Sequence, residues 1–164
     1  DRMPEAVAAT QEAVRIRRVL TRDHPDLPDF KADFAMSLSN LGNHLHANRR
    51  SDQAVLVLRD SIRLRRELSE AQPAVYQPGL ALTLSNLSCV LVDLERGEEA
   101  FEAASEALQL LAPLLKERPG RFRTQAETTL ANYRSAAAAA SREPDPRSET
   151  LVVQAPAGLD REEE

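Results

Sequence analysis

The sequence lacks most of the features that announce a reaction. It holds one cysteine, Cys89, in 164 residues, which excludes a disulfide framework and a thiolate metal cluster. It has no Gly-rich phosphate loop, no paired catalytic carboxylates and no nucleophile signature, so neither an enzyme nor a cofactor is expected. No apolar run approaches the roughly 20 residues that span a bilayer. No signal peptide opens the chain. No membrane partner is therefore expected, and a cytoplasmic location is. The chain does not begin with Met and reads as a piece of a longer protein. Positive charge is not in excess either: Lys and Arg number 21 against 26 Asp and Glu, a net of −5. Of this, −4 lies in residues 141–164, leaving −1 for the body. A near-neutral body is not the footprint of a general nucleic-acid binder, and nucleic acid is not expected as the partner. Glycine is scarce, at 5 residues, while Ala, Leu, Glu and Arg abound, which favours helix throughout.

What is present is repetition. "LSNLGNHLHANRRSDQA" (38–54) and "LSNLSCVLVDLERGEEA" (84–100) open and close alike. Leu38, Leu84 and Leu130 are 46 residues apart, as are Asn40, Asn86 and Asn132, and Phe30, Tyr76 and Phe122. A second series runs Ala6, Ala54, Ala100, with Ala13, Ser61, Ala107 and Ile16, Leu64, Leu110 behind it, at intervals of 48 and then 46. The extra pair of residues falls in the loop holding Pro25 and Pro28, where length changes are tolerated.

Each period contains two helical patterns. Leu38, Leu41 and Leu45 recur at i, i+3, i+7, as do Leu84, Leu87 and Leu91, giving one apolar stripe. Ala54, Leu58, Ser61 and Ile62, matched by Ala100, Ala104, Ala107 and Leu108, form a second stripe whose small residues allow close helix approach. Between them, Asn48 suits a left-handed cap, Ser51 a helix N-cap and Gly97 a tight turn. Pro25, Pro28, Pro73, Pro78 and Pro119 stop and restart helices. The spacing predicts six helices, at 4–21, 29–48, 51–70, 77–94, 97–117 and 121–140, and no strands. Helix pairs repeated in this way bury their apolar faces only by stacking. The predicted fold is all-α, an α-solenoid of stacked antiparallel helix pairs. It divides into a half repeat at 1–22, repeats at 29–70 and 77–117, a capping helix at 121–140 and a Pro- and acid-rich flexible tail at 141–164. The apolar "LVVQAPA" in that tail could serve instead as a docking segment. The first helix, with Ala6, Val7, Ala9, Ala13, Val14, Ile16, Val19 and Leu20, is apolar over too wide an arc for one contact, so self-association through it is expected.

These residues resemble the tetratricopeptide repeat. Its aromatic, Leu-Gly and tyrosine positions fall at Leu38, Leu41-Gly42 and Leu45, and its second-helix positions at Ala54, Leu58 and Ser61. The second copy matches at Leu84, Leu87, Leu91, Ala100, Ala104 and Ala107, and the third at Leu130, Asn132 and Tyr133. The long period, with L-x-N-L opening the first helix, is more similar to the kinesin light chain type and to arrays in bacterial multidomain signalling proteins. The resemblance implies a scaffold that binds a protein or peptide ligand in a groove lined by each first helix. Carried over by position, the groove would show Met36, Ser39, Asn40, Asn43 and His46, then Leu82, Ser85, Asn86, Cys89 and Val92, then Thr128, Asn132 and Ser135. A row of carboxamides can pair with a peptide backbone through both donor and acceptor, or can fix the stacking of neighbouring helices. The carboxylate clamp of chaperone-binding repeats is incomplete here, because its basic positions hold Ser39, Thr128 and Asn132.

Other residues carry less. His44 and His46 are two apart on a helix and cannot share an ion, and His24 is in a distant loop, so no metal site is expected. Cys89 has no Lys, Arg or His near it to activate the thiol. "RIRR" (15–18) and "RLRR" (63–66) offer an alternative, a phosphate- or RNA-contacting surface. Glu12, Asp60, Glu67 and Glu70 nearby suit them equally to a solvated outer face. A structural spacer or oligomerisation element is the third reading.

Overall fold

The computed structural model describes residues 3–153. These form seven helices and no strand: α1 (Met3–Asp23), α2 (Pro28–Ala47), α3 (Ser51–Ala71), α4 (Pro73–Asp93), α5 (Gly97–Glu117), α6 (Pro119–Ala139) and α7 (Pro146–Val153). Each helix packs on the next along α1 to α6, and α2 also meets α4, and α4 meets α6. The second-type helices α1, α3 and α5 make no backbone approach to one another. The first-type helices therefore form the tighter layer.

The leucine rows make the core. Leu38, Leu41 and Leu45 are buried, as are Leu84, Leu87, Leu91, Leu130 and Tyr133. The small residues let second-type helices sit close: Ala54, Ala100, Ala104 and Ala107 have no exposed surface, and Ser61 Oγ donates to the Ala35 carbonyl at 2.7 Å. A Cβ on Gly42 would stand 2.6 Å from Leu58 Cγ, so that glycine sets the approach of α2 to α3.

Proline opens each first-type helix, with Pro28, Pro73 and Pro119 where a missing N–H costs nothing. The turns into α3, into α5 and out of α6 share one geometry. Arg49, Glu95 and Ser141 are left-handed, with φ of 56°, 59° and 55°. The residue after each donates its N–H five residues back, to Leu45, Leu91 and Ala137 at 2.9, 2.9 and 2.8 Å. This is the Schellman closure of a helix C-terminus.

Several expectations change. The left-handed residue is Arg49 rather than Asn48, because the cap forms one residue later. Ser51 is the first residue of α3 and makes no N-cap bond; the preceding residue, Arg50, is the N-cap. Gly97 is not in the left-handed region and opens α5, where a Cβ would come 2.3 Å from the Ala139 carbonyl oxygen. Its role is close approach to α6. Helix α4 begins at Pro73 rather than 77 and contains Pro78. The carbonyl that Pro78 leaves without a helical donor belongs to exposed Ala74, which water can reach. By length and composition α4 could cross a membrane, with a mean hydropathy of 1.3, contrary to the sequence reading of no such run. Half of that stretch is buried, and α4 packs on α2, α3, α5 and α6, so apolar side chains are needed around most of it.

The segment read as a flexible tail contains α7, which lies on α5 and α6. Asp145 N–H donates to the Tyr133 hydroxyl at 2.9 Å, Arg134 pairs with Glu149 at 2.7 Å, and Val152 is buried. The alanine-rich α6 is thus covered rather than serving bare as the cap. At eight residues, with Val152 its buried side chain among those described, "PRSETLVV" was too brief to register as a pattern. Residues 154–164 lie outside the described residues.

Candidate binding face

The residues singled out on α2, α4 and α6 separate into layers by burial. Met36 and Leu82, at matching positions on α2 and α4, are 42% and 47% exposed, and Thr128 on α6 is exposed at the same position. These are large apolar side chains in water beside exposed Asn40 and Asn43. Cys89, one repeat on from Asn43, and Ser135 are also exposed.

Ser39 and Ser85 are not on that surface. They are 6% and 2% exposed, held between first-type helices. Thr83 Oγ1 lies 3.4 Å from Ser39 Oγ, and Ser85 Oγ accepts from Asn132 Nδ2 at 2.9 Å. A hydroxyl can be buried once it has a partner, and position alone did not reveal one. The asparagine row therefore divides. Asn132 stitches α6 to α4, donating also to the Ser85 carbonyl at 3.3 Å. Asn40 is open, and Asn86 is half-buried.

At the other end of the face, His46 joins two copies. Its Nε2 lies 3.2 Å from Asp93 Oδ2 and its Nδ1 3.1 Å from Ser51 Oγ. His44 turns the other way, with Nδ1 2.9 Å from Thr10 Oγ1. Val92 is half-buried behind Asp93. Partial burial of the sulfur, and then the Asp93 carboxylate, push the Cys89 thiol above its ordinary value. That is the opposite of activation.

Several arginines of the second-type helices are engaged with acids. Arg15 pairs with Glu12 at 2.6 Å, Arg63 with Glu67 at 3.2 Å and Arg66 with Glu106 at 2.7 Å. Two such pairs, Arg66–Glu106 and Arg59–Glu99 at 2.6 Å, bridge α3 to α5. They span a cleft of 530 Å³ floored by Leu84, Leu87 and Leu91. A hydrogen bond from Arg96 holds the Glu99 carboxyl below the usual carboxylate range, with Arg59 adding to it. This cleft was not legible beforehand, because its arginine and glutamate walls are some 40 residues apart.

The family model described as the tetratricopeptide repeat matches residues 34–72, which is most of α2, the Arg49 turn and α3. Residues 34–72 thus carry a repeat of tetratricopeptide type by their similarity to that model. Tetratricopeptide repeats generally mediate protein–protein interaction and are non-catalytic scaffold modules. The match covers the repeat that holds Met36, Asn40 and Asn43 and the Gly42–Leu58 approach. A search of curated proteins finds no match to the chain.

Proposed function

We propose that this chain is a protein-interaction module that binds an extended peptide or partner segment along α2, α4 and α6. The observation that carries the reading is the matched exposure of Met36 and Leu82 beside the open amides Asn40 and Asn43, on helices that pack in a row. Apolar side chains would anchor the ligand, and the carboxamides would pair with its backbone. The tetratricopeptide repeat at 34–72 supports the same use. The long period, similar to the kinesin light chain type, fits a docking or sensor part of a larger cytoplasmic signalling protein. The ion-paired arginines of α1 and α3 do not favour a nucleic-acid surface.

The test is a pair of asparagine variants, with binders first selected from a random peptide library. Asn86→Ala should weaken captured peptides about tenfold, the cost of losing roughly one to two hydrogen bonds, while leaving the thermal midpoint nearly unchanged. Asn132→Ala should lower the midpoint, since its amide joins α6 to α4. Equal losses of stability and binding in Asn86→Ala would assign the whole row to stacking.

A further inference from the structure

Arg17 on α1 and Arg65 on α3 occupy matching positions against the first-type helix that follows, but they are partnered differently. Arg17 Nη1 donates to the Asp33 carbonyl at 3.2 Å and to Ser37 Oγ, and its Nη2 lies 4.0 Å from the Asp33 carboxylate. Forty-six residues on, Asp33 and Ser37 become Gly79 and Thr83. Thr83 Oγ1 already donates to the Gly79 carbonyl at 2.9 Å, and glycine brings no carboxylate. Arg65 is left half-buried against Gly79, its Nε enclosed without a hydrogen-bond partner, and no acid pairs with it among the described residues.

The third copy resolves the same position by removing the charge: Leu111, 1% exposed, stands where Arg65 would be. One copy thus supplies an acid and another dispenses with the cation, while the middle copy does neither. A half-buried guanidinium without a counter-charge is costly, and burial accordingly pushes its pKa down from the arginine value. The missing group is a carboxylate by internal comparison. Gly79 cannot supply that group itself: the guanidinium lies directly on it, where a Cβ would stand 1.9 Å from Arg65 Nη1, so the carboxylate must come from outside α4.

We propose that Arg65, lying over Gly79, receives a carboxylate carried by a binding partner, either an acidic side chain or a chain terminus. A planar guanidinium suits a carboxylate in two-point contact. The site does not depend on the face of α2, α4 and α6, and Asn86→Ala should leave it intact.

The test uses the whole 164-residue chain, labelled for NMR, with the Arg65 Nε–Hε signal assigned through Arg65→Lys. At constant ionic strength, acetate should shift that signal saturably. Two further probes separate the sources: acetyl-glycylglycine with its amide as control for a chain terminus, and acetyl-aspartate amide for a side chain. Preference for either acid supports the site and names its source. Gly79→Asp, which supplies a carboxylate at the position matching Asp33 and obliges the Arg65 guanidinium to shift off the new Cβ, should weaken acetate about tenfold or abolish the response. Should that variant fail to fold, Arg65→Leu serves instead: carboxylates should raise the melting temperature of the wild type and not of the variant. The proposal is overturned if no carboxylate gives a saturable shift, if inorganic phosphate or chloride matches acetate, or if folded Gly79→Asp titrates like the wild type.

Discussion

A single missing Cβ decides how closely α5 meets α6. Gly97 faces the Ala139 carbonyl, a backbone atom that cannot rotate away as a side chain can. Gly97→Ala should therefore lower stability by about 1–3 kcal/mol despite alanine's better helix propensity, as overpacking does. Urea unfolding would check this, and a stabilised variant would show that α6 yields freely. At Cys89 the deciding neighbour is a charge. With the thiol raised above its ordinary pKa by burial and by Asp93, the thiolate is scarce at neutral pH. The rate of alkylation by iodoacetamide should rise with pH and reach its midpoint above that of an ordinary cysteine thiol. Asp93→Asn removes a negative charge that disfavours the thiolate, so the midpoint should move down and the rate at pH 8 should increase. An unmoved midpoint would leave burial as the whole cause.

Within a helix pair, the leucines set stability. Leu41→Ala and Leu87→Ala each empty a buried site, 5% and 6% exposed, and should cost about 2–5 kcal/mol in chemical denaturation. A loss below about half a kcal/mol would mean that the neighbouring helices close over the gap. These residues were legible in the sequence because repeated burial demands repeated apolar side chains, and the six long helices followed from them. The turns were less legible. A left-handed cap was sought in Asn48 and a tight turn at Gly97, yet Arg49, Glu95 and Ser141 are the left-handed residues, held by bonds to carbonyls five and three residues earlier. Such closure depends on the backbone and leaves little trace in residue type. The candidate face was half legible. Met36, Leu82, Asn40 and Asn43 are exposed, as the resemblance implied, but Ser39 and Ser85 found partners across helices that no single-helix pattern describes. Arg65 belongs to that second kind: its lack of a partner emerges only when α3 is laid on α4.

At the scale of the molecule, the two ends differ. Helix α7 covers α6, whereas α1 meets only α2 and leaves Ile16 and Val19 at 47% and 38% exposure. We expect a second copy to cover that face. Light scattering should report concentration-dependent dimerisation that Ile16→Glu abolishes; a wild type that stays monomeric at high concentration would show that the face tolerates water. Between the ends, the layer of α2, α4 and α6 is continuous while α3 and α5 stand apart. The array is thus built like a bound book, with a spine along α2, α4 and α6 and leaves that fan outward. Bending such an object barely strains the spine, and the whole displacement appears at the fore-edge. There the Arg59–Glu99 and Arg66–Glu106 pairs are the only bridges between α3 and α5 among the described residues, and exposed pairs of this kind weaken with salt. Raising the ionic strength should therefore loosen this outer edge first and leave the leucine core unchanged.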